Sequence, residues 1–303
     1  MWKRTSRGRR QWVPSLVVIA ALAGCSGAAD EAPVTDVPGL DLSAELDENS
    51  GAVILPYDRL SPSFVEADRL TTAASFALAE CAADSGVTFT PIGDTLDAQV
   101  YASEQYFGPW TIDQAETFGF VTPQSRNDMV ANGIDGAVAG ESSGAEAVAS
   151  ANDALSDADW TIIDGCGSED AAVREFSAAT VDSGPWSELL LAAGTRVVDD
   201  PRAQPVIDEL TACFADEGLE PMEDTPWLPE GADPGVLSAG QIELALTVVR
   251  CKESVGFTQR MADIDASLQA PILRDHAAEL IERREALDAA LEHADAVIAA
   301  HAP

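Results

Sequence analysis

VIDELTACFADEGL, residues 206–219, carries the pattern on which the fold turns. Val206, Leu210 and Cys213 stand at i, i+4 and i+7, which is one face of an α-helix. Gly218, five residues after the cysteine, stands where a helix closes in a left-handed cap, a conformation glycine adopts without steric cost. The frame recurs twice. ASFALAECAADSGV (74–87) sets Ala74, Leu78 and Cys81 ahead of Gly86, and LALTVVRCKESVGF (244–257) sets Leu244, Val248 and Cys251 ahead of Gly256. Three helices are therefore predicted, each with its cysteine on the buried face about one turn before the end.

The N-terminus says where such a chain resides. Lys3, Arg4, Arg7, Arg9 and Arg10 form a basic segment, followed by an apolar stretch from Trp12 to Ala23. That stretch is short for a membrane-spanning helix, which needs about 20 apolar residues, and suits a signal peptide. It ends in Leu22-Ala23-Gly24-Cys25, a lipobox-type ending. Residues 1–24 read as a lipoprotein signal peptide, with Cys25 as the lipidated residue after cleavage. Residues 25–50, rich in Ala, Asp, Glu, Pro, Gly and Ser, read as a flexible acidic tether, and 51–303 as the extracytoplasmic domain, divisible into lobes 51–198 and 199–303.

Charge narrows the function. The 303 residues hold 17 Lys+Arg against 52 Asp+Glu, a formal net charge of −35. Removing the five positive charges of the signal takes this to −40 and leaves Lys252 as the single lysine. Nucleic-acid binding needs clustered Lys and Arg and is excluded as a reading. Asp41, Asp47, Glu48 and Asn49 lie close together but miss the EF-hand calcium spacing. His276, His293 and His301 are 17 and 8 residues apart and form no metal box, so no metal and no cofactor is implied.

Four cysteines remain after Cys25: Cys81, Cys166, Cys213 and Cys251. In an oxidising compartment an even number reads as two disulfides. Zinc is the competing reading, but no pair has C-x₂₋₄-C spacing. Three pairings are open, and the reading favours Cys213–Cys251 across one loop and Cys81–Cys166 closing the first half.

Further elements follow from local signals. Ser61-Pro62-Ser63 starts a helix that runs to about Ser85, and Thr111–Glu116 reads as a short capped helix. Glu146–Leu155 reads as helical, and another helix is expected from Ser168 to about Ala179, after Gly165-Cys166-Gly167. From about Gln259 the chain reads as one long helix. Its stripe of Leu273, Ala277, Leu280, Arg284, Leu287, Leu291, Ala294 and Ile298 packs on its own domain, with a coiled coil as the alternative. The fold class is mainly α, with a loop-rich aromatic segment and a long C-terminal helix.

Candidate sites are few. Tyr106, Phe107, Trp110, Phe118 and Phe120, interleaved with glycines, are candidates for a binding cleft, the alternative being the core of a small lobe. Trp227 is expected to pack over the helix pair around it. Gly140-Glu141-Ser142-Ser143-Gly144 matches G-x-S-x-G, but Ala137-Val138-Ala139 is a poor strand for a nucleophile elbow. No catalytic residue is assigned.

The chain resembles a loose group of lipoproteins from Gram-positive actinobacteria. The resemblance rests on Cys25, Cys81 with Gly86, Phe107-Gly108 through Phe118-Gly119-Phe120, Gly165-Cys166, Cys213 with Gly218, and Cys251. The chain departs from the pattern at Ala82, Phe214 and Lys252, and at Leu210, where a Trp is usual. The resemblance implies a palmitate-bearing membrane anchor and an accessory role at the cell envelope, beside a transporter or adaptor protein. A cell-wall-acting enzyme and a cation-responsive surface module are the alternatives.

Overall fold

The computed structural model describes residues 38–91, 101, 106–123, 129, 148, 150–181 and 183–301, all within the unit 37–303. The signal segment, Cys25 and the G-x-S-x-G stretch lie outside the described residues. The chain is mainly helical. The elements are strands β1 (Glu45–Asp47) and β2 (Ala52–Ile54), a 3₁₀ turn (Pro56–Arg59), then helices α1 (Phe64–Asp84) and α2 (Ile112–Phe118). There follow α3 (Asp157–Glu169), α4 (Ala171–Thr180), α5 (Ser187–Gly194), α6 (Ala203–Asp216), α7 (Ala239–Val255), α8 (Phe257–Asp275) and α9 (Ala277–His301).

The three Cys helices end on left-handed glycines, Gly86 at φ +82°, Gly218 at +74° and Gly256 at +61°. At the first two ends the chain folds back on the last turn. Val87 N donates to Ala82 O and Gly86 N to Ala83 O; Leu219 N donates to Phe214 O and Gly218 N to Ala215 O. Gly256 differs: it is the hinge between α7 and α8, with Phe257 already helical. The disulfides are Cys81–Cys166 and Cys213–Cys251, closing sequence separations of 85 and 38.

Helix starts follow their capping residues. Ser63 and Glu66 form a reciprocal capping box at α1, and Thr111 and Gln114 do so at α2. The region after Leu155 departs from expectation. Helix α3 begins at the Ser156 cap and runs through Gly165 and Gly167; Asp170 then caps the separate helix α4. Each glycine costs about 1 kcal/mol in a helix. The Ser156–Asp159 box, burial of Ile163 and Cys166, and the disulfide offset that cost. Of the expected helix over 146–155, residues 148 and 150–152 are helical and 153–155 are not, while 146, 147 and 149 lie outside the described residues.

The expected single C-terminal helix is two helices, broken at His276. Its stripe packs on the chain's own domain. Leu273 and Leu280 pack with Leu60 and Trp186, while Leu287, Leu291 and Ala294 pack with Leu70, Ala73, Val173 and Phe176. Arg284, the polar break in the stripe, reaches Glu66 at 2.7 Å and also bonds Asp288. A division into lobes at residue 198 does not describe this packing, because α9 rests on α1 and α4 from the other side of that boundary.

The packed body begins earlier than residue 51, inside the stretch expected to be a flexible tether. Leu40 and Leu42 pack against the Leu60–Trp186–Leu273–Leu280 cluster, and β1 pairs antiparallel with β2 in the register Leu46↔Val53. Apolar residues dispersed among acids conceal this segment from a composition-based reading. Asp47, weighed as a calcium ligand, instead organises the hairpin turn, accepting from Asn49 N at 3.0 Å and Ser50 Oγ at 2.7 Å. Those bonds hold its carboxyl below the usual range. Among the described residues no cluster has the makings of a metal site.

Candidate functional site

Among the described residues, the five aromatic candidates pack against several different parts of the protein. Trp110 is buried and its indole N–H donates to the Gly51 carbonyl at 2.8 Å, locking the β-hairpin turn onto the start of α2. Gln114 Nε2 donates to the same carbonyl at 3.2 Å. Phe120 is buried in the large cluster of α6, α7 and α8, and Phe118 packs edge-on to the buried Tyr101. Phe107 meets Phe257 and Trp227 at ring-centroid distances of 5.6 and 5.1 Å, so Trp227 also packs over the helix pair. Tyr106 is half-buried, and among the described residues its hydroxyl has no hydrogen-bond partner.

Beneath this segment lies Lys252, 2% exposed. Its Nζ donates to the carbonyls of Phe107 and of Pro109, the latter at 2.9 Å, and sits 5.8 Å from the centre of the Phe257 ring. Two successive left-handed residues, Phe107 at φ +59° and Gly108 at +77°, lie between and beside those carbonyls. Gly108 is required on two counts, since a Cβ there would also come within 3.1 Å of Leu228 Cδ2. Among the described residues no carboxylate pairs with the amine, and burial pushes it down to about 7. An amine this enclosed ties loop 106–110 to α7. The signal was present in the sequence: Lys252 stands four residues after Val248, on the apolar face of its helix.

A groove opens elsewhere, at the Cys81–Cys166 disulfide. It has a volume of about 710 Å³, and Leu78, Phe89, Trp160 and Ile163 form its apolar walls, with Asp153 and Asp164 on its rim. Trp160, Ile163, Asp164 and Gly167 are spaced i, i+3, i+4, i+7 and so share one face of α3. Trp160 is 41% exposed and its ring meets Phe89 at 6.3 Å and 75°. The disulfide fixes α3 against α1. Asn152 fixes the segment that carries Phe89: its side-chain oxygen accepts from Thr90 N and its amide donates to Thr90 O, both at 2.9 Å. Sequence reasoning missed this groove because its walls come from three distant segments.

The histidines are dispersed in structural contacts. His276 faces Trp186, His293 sits 3.2 Å from Glu175, and His301 stacks on Phe76 and lies 3.2 Å from Glu80. No described helix is long and apolar enough to cross a membrane. Comparison of the chain with protein-family models, curated proteins and solved structures finds no match.

Proposed function

We propose that this chain is an exported protein, held by lipid on Cys25 at the extracytoplasmic face of a bacterial membrane, and that it works there as a non-enzymatic binding or accessory protein. The observation that carries the reading is the pairing of all four cysteines of the body into two disulfides. Such bonds persist in an oxidising compartment and are rare in the cytosol. The basic segment, apolar core and Leu22-Ala23-Gly24-Cys25 ending supply the route and the anchor. The groove with an exposed tryptophan supports binding as the role.

Cell fractionation with an alkyne-palmitate label tests the anchoring. The wild-type chain takes the label and sediments with membranes, whereas Cys25→Ser does neither; equal labelling and sedimentation of the two overturns it. Peptide mapping without reduction tests the compartment. Free thiols at Cys81, Cys166, Cys213 and Cys251 in the native host remove the case for export.

A further inference from the structure

We propose that the groove between α1 and α3 binds a small organic cation, an ammonium group carried on an apolar body. This rests on the reading of the chain as a binding protein and names the ligand class. Three features of the groove converge on that chemistry. Its walls are aromatic and aliphatic, with the Trp160 and Phe89 rings set at 75° to each other so that a face and an edge meet in a corner. Aromatic faces attract ammonium groups within about 6 Å of the ring centre, and tryptophan does so best. Among the described residues, the charges at the rim are the carboxylates of Asp153 and Asp164, both exposed, and no Lys, Arg or His lines the groove.

Charge complementarity selects among occupants. An anion meets two carboxylates and a chain of net charge −35. A neutral apolar molecule satisfies the walls and leaves the rim unused. A cation with an apolar body uses both. The volume of about 710 Å³ lies within the range of roughly 300–1,000 Å³ typical of small-molecule sites. The walls are also preorganised, which lowers the cost of binding: the Cys81–Cys166 disulfide ties α1 to α3, and Asn152 holds Thr90, next to Phe89, through both backbone groups. Gly167 keeps one end open, since a Cβ there would meet nothing within 4 Å.

The test uses the purified protein and three soluble probes of similar body: benzyltrimethylammonium, benzyl alcohol and benzenesulfonate. Binding is read from the Trp160 indole resonance, assigned by its loss in Trp160→Phe. The cation shifts this resonance saturably, and the alcohol and sulfonate bind at least tenfold more weakly. Affinity for the cation falls at least tenfold in the Asp153→Asn/Asp164→Asn pair and in Gly167→Leu, which fills the open end. Asp216→Asn/Glu217→Gln, the same charge change on exposed positions at the C-terminal end of α6, leaves affinity within twofold. Circular dichroism confirms that each variant is folded. Equal binding of benzyl alcohol overturns the ligand class, as does an equal loss in the α6 control pair. Because Cys25→Ser fractionation is read separately, a membrane-held protein with an unmoved Trp160 loses the ligand class alone, and a cation-binding protein indifferent to Cys25→Ser loses the anchor alone.

Discussion

The two disulfides span nearly the same Cα separation, 5.7 Å for Cys213–Cys251 and 5.8 Å for Cys81–Cys166, and three of their four cysteines sit in one sequence frame. Their surroundings differ. Cys251 is 1% exposed within a filled cluster that includes Leu210, Phe214, Val248, Phe257 and Met261. Among the described residues, the buried cluster beside Cys81–Cys166 is Ala82, Val87 and Ile163, with Leu78, Phe89, Leu155 and Ile162 half-buried against it. Side-chain volume accounts for the contrast. Helix α1 approaches Cys81 with alanines at 73, 74, 77, 79, 82 and 83, so the same helical spacing leaves space unfilled. A repeated cysteine frame thus closes a core where its neighbours are large and steadies the walls of a groove where they are small.

The sharpest way to break this comparison is to remove each bridge. By loop closure alone, Cys213–Cys251 contributes about 4 kcal/mol and the longer Cys81–Cys166 loop about 4.6 kcal/mol. Packing reverses that order. We expect Cys213→Ala/Cys251→Ala to cost at least about 4 kcal/mol in urea unfolding, and Cys81→Ala/Cys166→Ala to cost less, with early loss of hydrogen-exchange protection confined to α3. The loop-length order in the measured values would show that chain entropy outweighs packing here.

Lys252 belongs to the filled side. Lys252→Met leaves the Phe107 and Pro109 carbonyls unpartnered, at a cost of about 2–3 kcal/mol at pH 9. The same variant has a pH signature. The unfolded chain keeps this amine protonated to about 10.5, whereas the folded chain releases the proton near 7. Between those values the unfolded state binds more protons, so wild-type stability rises with pH. Above about pH 10 the sign reverses, because burial holds Tyr101 and Tyr106 protonated only in the folded state. Urea midpoints should climb from pH 7 to about 10 in the wild type and stay flat in Lys252→Met. A wild-type midpoint that is flat over this range would show that the amine is solvated.

Smaller effects come from α1 and α3. Arg284→Ala removes the bridge from α9 to Glu66 at the start of α1, for roughly 1–2 kcal/mol at pH 7. Burial alone would raise Glu66, but the bonds from Arg284 and Ser63 outweigh it and lower its pKa. Stabilisation by this bridge is therefore present above the ordinary glutamate range and fades as pH falls through the lowered value. An undiminished effect of the variant at pH 2 in thermal melts would count against the bridge. Smallest is Gly165→Ala, where the added methyl meets nothing within 4 Å. It should raise stability by up to about 1 kcal/mol. A loss instead would mean that α3 needs a weak point beside its disulfide.

Much of the architecture follows from short-range chemistry. Ser63 and Thr111 cap their helices, the frame glycines take left-handed conformations, and the favoured cysteine pairing is the one observed. The caps and left-handed ends are decided by backbone geometry within a few residues; the parity of the thiols gives two disulfides, and which thiols meet is set by the helices that carry them. The aromatic segment was legible as either cleft or core, and the sequence left the two open because whether Phe107 and Phe120 face solvent or protein depends on α7 and α8 more than a hundred residues away.

What the sequence by itself determined is therefore the helical class, the ends of the three Cys helices, the excess of negative charge and the set of cysteines available to pair. Only the tertiary structure decided that Gly165 and Gly167 lie inside a helix, that Arg284 bridges rather than breaks its stripe, that Lys252 holds a loop, and that Trp160 and Phe89 share a groove. Those outcomes depend on volume and charge delivered from distant segments. Local propensities differ by about 1 kcal/mol, which a disulfide, a bridging arginine or a buried amine is enough to override.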